Sequence, residues 1–155
     1  MKRSQIQWKP LLFFLLYTFI LAGLGTWLGM PTTKGLVQPP LAPPDWLFPI
    51  VWTILYALMA VAAYLVFISG DIDRGQPLRL YLLQVLVNVL WPLFFFRLEW
   101  RLFAFIWLLL LLVLVIATAI GFKPISRTAW YLLLPYIAWL LFAGYLNLSF
   151  YLLNR

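Results

Sequence analysis

Residues 39–63 read PPLAPPDWLFPIVWTILYALMAVAA, a proline-rich loop that runs directly into an apolar helix. The loop prolines are Pro39, Pro40, Pro43 and Pro44. Because proline is excluded from helix interiors, this loop is predicted to stay extended and stiff. Asp45 is a favoured N-cap residue, which predicts that the helix begins near residue 46. The helix carries Trp52 and Tyr56 one turn apart on one face.

The composition of the chain indicates a membrane protein. Of 155 residues, 66% are hydrophobic and only 10% are charged, whereas a soluble domain carries about 25% charged residues. The charges leave five apolar runs near the roughly 20 residues that cross a bilayer as a helix. We therefore predict an all-α membrane protein, a single domain over residues 1–155. Its five transmembrane helices are predicted at about 10–29, 46–69, 80–96, 102–122 and 129–153.

The distribution of basic residues predicts the orientation in the membrane. Five spans place the two termini on opposite sides. The cations on the N-terminal side are Lys2, Arg3, Lys9, Arg74, Arg79, Lys123 and Arg127, and those on the other side are Lys34, Arg97, Arg101 and Arg155. By the positive-inside rule this bias predicts a cytoplasmic N-terminus and a C-terminus outside. We expect a multi-pass protein of a bacterial cell membrane. The net charge of +7 suits a bilayer with anionic headgroups, and the basic residues form no contiguous patch for nucleic acid.

The sequence lacks the residues that most catalytic and metal sites use. It contains no Cys and no His, which removes thiolate chemistry, the commonest metal ligand and the usual proton carrier at neutral pH. The four acidic residues fall in loops or at predicted helix ends, so no general acid–base pair is visible within the membrane. They are Asp45, Asp71, Asp73 and Glu99. We therefore predict no catalytic residue, no metal site and no required cofactor, and we favour a binding protein over an enzyme.

The third predicted helix carries one polar and aromatic stripe. Tyr81, Gln84, Asn88 and Trp91 follow one another at helical spacing. Amide side chains within a bilayer need hydrogen-bond partners, so this stripe is predicted to face protein or a cavity rather than lipid. Pro92 then predicts a kink at the end of the helix.

Unusual residues of several helices fall at similar depths. At about 1.5 Å of rise per residue, they lie roughly 7–16 Å below the face that carries the long loop. This convergence predicts an aromatic-walled pocket between the helices, a common character of ligand sites in bundles. The alternative is that the same side chains only pack the helices together. The predicted ligand-binding set is Trp52, Tyr56, Asn88, Trp91, Trp107, Trp139, Ala143 and Asn147.

Two further features of the sequence allow two interpretations each. The loop 30–45 is the longest connection, and it is either a lid over the pocket or a stiff spacer. If it is a lid, the residues nearest the helix are Leu41, Pro43 and Pro44. Gly25 and Gly29 form a GxxxG spacing, which either permits close helix approach or only marks the end of the first helix.

The motifs at these positions resemble the TspO/MBR family, the tryptophan-rich sensory proteins also known as translocator or peripheral benzodiazepine receptor proteins. The resemblance covers all five helices. It is carried by Pro43-Pro44, Phe48, Val51-Trp52-Thr53, Leu55-Tyr56, Met59, Gln84, Asn88, Trp91-Pro92, Leu93-Phe94-Phe95, Leu134-Pro135-Tyr136, Trp139, Tyr145-Leu146-Asn147 and Leu153-Asn154.

The resemblance implies a five-helix membrane protein that forms homodimers and binds hydrophobic ligands under the first loop. In the family these ligands are porphyrins such as protoporphyrin IX, haem-related tetrapyrroles, cholesterol in the eukaryotic branch, and drug-like molecules. Positions matching Trp52 and Trp139 are tied to ligand binding and to light-dependent porphyrin breakdown. Ala143 matches a pocket wall position, and Asn88 matches a polar pocket residue.

The chain departs from the family pattern in the loop. Where the family often has aromatic residues, this chain has Thr32-Thr33 and Leu41, and Ala60 replaces a usual glycine. A loop without aromatic residues weighs against tight porphyrin capture and porphyrin breakdown more than against the fold. We therefore expect a receptor, sensor or carrier for porphyrins or other flat hydrophobic molecules. The alternatives are light-dependent porphyrin degradation and passive translocation of a tetrapyrrole or sterol.

Overall fold

The protein folds as a bundle of five long helices, seen in a computed structural model that describes residues 5–155. The helices are α1 (Trp8–Gly29), α2 (Leu47–Ile68), α3 (Gly75–Pro92), α4 (Arg101–Phe122) and α5 (Arg127–Leu153). A 3-10 turn (Ile72–Arg74) precedes α3 and a π-helical turn (Leu93–Arg97) extends it. All five spans are long and apolar enough to cross a membrane. The prediction of an all-α bundle with five membrane-spanning helices is confirmed.

Several helices extend beyond the apolar runs that identify them in the sequence. The third begins at Gly75 instead of near residue 80, and the fifth at Arg127 instead of near residue 129. Arg79 therefore lies within α3, with its side chain exposed. An apolar run marks only the part of a helix that lies within hydrocarbon, whereas helical turns carrying charge continue into the headgroup region. Lys2 and Arg3, which contribute to the predicted orientation, lie outside the described residues.

The prediction that Asp45 caps α2 is wrong. The residue at the cap position is Trp46, and it makes no side-chain cap. The Asp45 carboxylate instead accepts a hydrogen bond of 2.7 Å from the Thr33 hydroxyl, and the Leu47 amide donates to the Pro44 carbonyl at 3.0 Å. The loop fold brings Thr33 to the carboxylate, and Asp45 therefore fastens the two ends of the loop to each other.

The helices form a closed ring in the order α1, α2, α5, α4, α3, each packing against its two neighbours. Small residues on α2 let the interior close around larger ones from the other helices. The buried α2 residues include Ala60, Ala62 and Ala63, each fully shielded from solvent. Tyr81 and Tyr136 are among the largest fully buried side chains. The exposed surface is rich in large apolar residues, as expected of helices that face lipid.

The seam between α1 and α3 is a backbone-to-backbone contact. A Cβ atom added at Gly25 would lie 2.9 Å from the Val89 carbonyl oxygen, and one added at Gly29 would lie 2.5 Å from the Pro92 Cβ. The GxxxG spacing therefore serves close helix packing within the chain. The Tyr17 hydroxyl donates to the Leu82 carbonyl at 2.8 Å across the same seam.

The end of α3 departs from regular α-helical geometry just after Pro92, where the sequence predicts a kink. The Leu98 amide donates to the Leu93 carbonyl at 2.9 Å, which closes a π-helical turn. The Trp100 amide then donates to the Phe94 carbonyl at 2.9 Å. This wide turn carries the chain from α3 directly into α4 at the end of the bundle that also carries the loop, here called the loop end.

Candidate functional site

A small cavity lies between four helices in the loop-end half of the bundle. Its six wall residues are Trp52 from α2, Asn88 and Trp91 from α3, Leu108 and Leu111 from α4, and Ala143 from α5. Its volume is about 10 Å³, close to the minimum that holds one water molecule, and its exposed wall is apolar. The structure thus brings together four residues of the predicted site around one closed space.

Asn88 is held by a buried hydrogen-bond network at the edge of this cavity. The Tyr56 hydroxyl donates to Asn88 Oδ1 at 3.2 Å, and Asn88 Nδ2 donates to the Tyr136 hydroxyl at 2.6 Å. Tyr136 in turn donates to Gln84 Oε1 at 3.0 Å, and Gln84 Nε2 lies 3.6 Å from the Met59 sulfur. Both amides therefore have partners, as the polar stripe on α3 requires, and the Asn88 amide is fixed in orientation.

Trp52 lies against aromatic side chains on two sides. Its ring stacks on Tyr56 with centroids 5.3 Å apart and meets the edge of Tyr136 at 6.2 Å. Trp52 is only half-buried, so one part of the indole borders the cavity while another reaches the bundle surface. An aromatic face in this position can stack on a flat conjugated molecule.

Trp139 lies on the same α2–α5 seam but does not line the cavity. Its ring packs edge-on against Phe48 at 5.9 Å and tilts against Phe142 at 5.5 Å. Its indole Nε1 is buried and has no acceptor among residues 5–155. Buried donors are nearly always paired, so this N–H is an exception among the side chains of the bundle.

Asn147 lies behind the cavity wall. The Trp91 indole donates to Asn147 Oδ1 at 2.9 Å, and Asn147 Nδ2 donates to the Arg101 carbonyl at 2.8 Å. Trp91 also stacks on Phe95 with centroids 5.0 Å apart. Asn147, on α5, therefore orients Trp91 and joins α3 to the start of α4.

Trp107 supports the contact between α3 and α4. Its indole donates to the Val87 carbonyl at 2.7 Å, and its ring meets Phe94 at 5.0 Å. Like Trp139, Tyr56 and Asn147, it lies outside the six residues that form the wall. Because the Trp107 N–H is bonded to a backbone carbonyl, the ring is held in place and the N–H is not free to bind a ligand.

The loop 30–46 is fastened to α5 by side-chain hydrogen bonds. Asn154 accepts from the Val37 amide at 2.8 Å and donates to the Val37 carbonyl at 3.1 Å. The Tyr145 hydroxyl donates to the Pro40 carbonyl at 2.8 Å. The loop therefore covers the loop end of α5, held by a few polar contacts.

The predicted lid residues are not the ones that pack the loop onto the bundle. Leu41 is 82% exposed, with a positive φ of 66°, and Pro44 is also exposed, whereas Pro43 is half-buried. Loop side chains that do contact the bundle include Leu36 and Ala42, which pack on the cluster formed by Phe95, Ala104, Leu146 and Phe150.

The sequence analysis did not identify several residues that shape the site. Tyr136 is the centre of the amide network, but the sequence analysis used it only as part of the Leu134-Pro135-Tyr136 motif and assigned it no place in the site. The need of Gln84 and Asn88 for partners was a further signal that could have found it. Leu108 and Leu111 carry no signal, because they lie within an unbroken aliphatic run of α4, residues 108–116. The fastening of the loop by Asn154 joins residues 117 positions apart, a contact that no local pattern reveals.

The comparisons with known proteins agree with this architecture. The profile of the TspO/MBR family matches residues 11–152. The chain belongs to the TspO/MBR family. It is 37% identical over 123 residues to the tryptophan-rich protein TspO of Chlorobaculum tepidum, covering 77% of each chain. It is 36% identical over 151 residues to the translocator protein of Bos taurus, covering 90% of this chain and 87% of that one.

Similar proteins occur in both bacteria and animals. The protein CrtK of Rhodobacter capsulatus is 35% identical over 123 residues, with 77% of this chain and 76% of that one covered. The TspO/MBR profile includes all four helices that form the cavity, the loop above it and the network residue Tyr136. The resemblance seen in the motifs is thus confirmed at the level of the family, for a multi-pass membrane protein.

Proposed function

We propose that this TspO/MBR protein is a membrane receptor or carrier for a flat hydrophobic ligand, a porphyrin above all, held between α2, α3, α4 and α5. The supporting observation is the cavity itself: four helices meet around an apolar space bordered by two indoles and one small residue, Ala143. Stacking and dispersion on Trp52 and Trp91 favour a conjugated ring system. Trp139 adds an unpaired buried N–H on the neighbouring seam.

The closed cavity must expand before such a ligand binds. Ligand sites measure roughly 300–1,000 Å³, far above the volume of this space. The polar contacts that hold the loop on α5 are few and exposed, and each contributes a net stability of about 0.5 kcal/mol. Release of Val37 and Pro40 from Asn154 and Tyr145 would therefore uncover this end of the bundle at a modest free-energy cost.

The residues around the cavity favour recognition of ring faces over recognition of a metal. The chain contains no His and no Cys, the commonest ligands for a haem or a metal ion. The Asn88 amide already has partners at both of its atoms. A tetrapyrrole in this site would be held mainly through stacking, with polar contacts at its edge.

Filling the cavity tests this proposal. Protein reconstituted in nanodiscs is titrated with protoporphyrin IX, and binding is followed by the shift in porphyrin absorbance. We expect Ala143→Leu to weaken binding about tenfold, because the added side chain occupies the space between the indoles. The matched control is Ala138→Leu, which adds the same atoms on the exposed face of α5 and should bind normally. Unchanged binding by Ala143→Leu would refute the location of the site.

Passive transfer of the same ligand across the membrane is a second candidate, because several relatives are named translocator proteins. Proteoliposomes that contain protoporphyrin IX would release it faster with the protein than without. We further propose a homodimer with its N-terminus in the cytoplasm. Since the chain has no Cys, single-Cys variants on each side of the membrane can be labelled in intact cells to test the orientation.

A further inference from the structure

A second and larger pocket opens at the loop end, where α4 begins and α5 ends. Its volume is about 350 Å³, within the range of small-molecule sites. Residues 99–103 form one wall, and Tyr151, Asn154 and Arg155 form the other. It shares no wall residue with the closed cavity.

Arg101 supplies this pocket with a largely buried cation. Only 13% of its side chain is exposed, its guanidinium carbon lies 6.0 Å from the Phe95 ring centre, and Nε has no partner within the described residues. Its ion pair with Glu99 reaches one guanidinium nitrogen at 3.5 Å, and the Glu99 side chain is 68% exposed. A buried guanidinium with an unpaired N–H suits an anion that offers several oxygens.

The rest of the pocket adds positive potential. Arg155 lines the opposite wall, so the side chains that line the pocket include two cations and one acidic residue, Glu99. The first turn of α4 has no acidic residue, and Trp100 at its cap position makes no side-chain hydrogen bond to it. The amide groups at the start of α4 therefore reinforce the attraction for an anion that the two arginines create.

The flank of the pocket is apolar and lies at a helix end, where the membrane interface is expected. Trp100 is 56% exposed, Leu102 44% and Phe103 42%, and all three line the pocket. Tryptophan at a helix end is typical of the membrane interface. A ligand with an anionic head and hydrocarbon chains would fit both the cationic pocket and its apolar flank. Its head would lie beside Arg101 and its chains along α4.

We propose that this pocket binds the phosphate headgroup of an anionic phospholipid in the leaflet on the loop side. Arginine pairs well with phosphate oxygens because its N–H groups form a planar fork. Asn154 lines the pocket while its amide holds Val37, so the bound lipid would lie directly beside the fastening of the loop. This site is separate from the proposed porphyrin site.

Native mass spectrometry of the full chain in detergent micelles tests the proposal. The protein is titrated with phosphatidylglycerol and, separately, with phosphatidylcholine. We expect phosphatidylglycerol to be retained preferentially and Arg101→Gln to weaken its binding about tenfold, the loss of one charge-assisted contact. Arg97→Gln is the matched control, because it removes an exposed cation from the same end of the bundle outside the pocket. It should change binding by less than about twofold.

A second variant keeps the test valid if Arg101→Gln is unstable. Arg155 is exposed, so Arg155→Gln should fold normally and weaken phosphatidylglycerol binding about threefold. Equal losses in Arg101→Gln and Arg97→Gln, or equal retention of the two lipids, would overturn the proposal. So would displacement of the lipid by an equal concentration of glycerol 3-phosphate, or preferential retention of a sterol. The porphyrin titration of the Ala143 variants is independent of all these outcomes.

Discussion

The two sides of α3 are built in opposite ways. Against α1, the glycines Gly25 and Gly29 bring the two backbones into direct contact, with no room for a single added methyl group. Toward α2, α4 and α5, large side chains meet around a small space, and the contact is made by aromatic rings and amide hydrogen bonds. The first seam has no spare volume, whereas the second has a cavity bordered by Trp52 and Ala143.

This contrast indicates which part of the bundle can adapt. Close-packed interfaces respond to strain as units, whereas rings in rotamer wells can shift without moving a backbone. We infer that α1 and α3 form a fixed wall, and that expansion of the cavity involves α2, α5 and the loop that Asn154 fastens. The following variants test that division.

The largest effect is expected at the α1–α3 seam. Gly29→Ala would place a Cβ 2.5 Å from the Pro92 Cβ and 2.8 Å from its carbonyl, so the helices must separate. We expect a loss of about 3 kcal/mol of stability, at the upper end of overpacking costs. The control is Gly23→Ala, which adds the same atom where nothing lies within 4 Å. Thermal unfolding in detergent compares the two, and equal melting temperatures would contradict the fixed wall.

A smaller loss is expected from Tyr136→Phe on the cavity side. The variant removes the hydroxyl that accepts from Asn88 and donates to Gln84, leaving two buried amides short of a partner. We expect the free energy of unfolding to fall by about 2 kcal/mol, because buried polar groups would be left without hydrogen-bond partners. Tyr131→Phe, at a site that is 60% exposed, should be nearly neutral in the same unfolding measurement. A Tyr136→Phe protein as stable as the wild type would show that the network does not hold this side together.

The number of spans and the buried stripe were predictable from the sequence for a physical reason. Hydrocarbon excludes unpaired charges and unpartnered amides, so the spacing of charges marks the spans, and Gln84 and Asn88 must turn inward. Both amides are buried, Gln84 being 1% exposed and Asn88 4%. The ends of α3 and α5 were less predictable, because headgroups tolerate charged helical turns such as the one with Arg79.

The residues that line the cavity were only partly predictable from the sequence. Depth along a helix places Trp52, Asn88, Trp91 and Ala143 at one level, but the rotation of each helix decides which side chain reaches the cavity. That rotation is set by packing, and so Trp139 lies on the seam beside Phe48 instead. The loop contacts depend on distant residues, and the Asp45 prediction failed because the competing Thr33 hydroxyl is brought in by tertiary structure.

Release of the loop should change the rate of ligand binding more than the stability of the bundle. Asn154→Ala removes both hydrogen bonds to Val37, a change of about 1 kcal/mol in the closed state. We expect protoporphyrin IX to associate about fivefold faster in stopped-flow measurements, since the open state becomes more populated. The control is Gln38→Ala, whose side chain bonds only to Thr33 within the loop. An unchanged association rate in Asn154→Ala would mean that ligands reach the cavity without release of the loop.

The smallest effect on stability is expected at Trp139, which lies on the seam between α2 and α5. The buried Nε1 of Trp139 has no acceptor among the described residues. Trp139→Phe removes this donor while keeping an aromatic ring against Phe48, so we expect the free energy of unfolding to change by less than about 0.5 kcal/mol. If the N–H serves a ligand, porphyrin affinity should fall about threefold in the same protein. A variant that loses stability without losing affinity would make Trp139 a packing residue, and the ligand site would then be limited to the cavity that Trp52 borders.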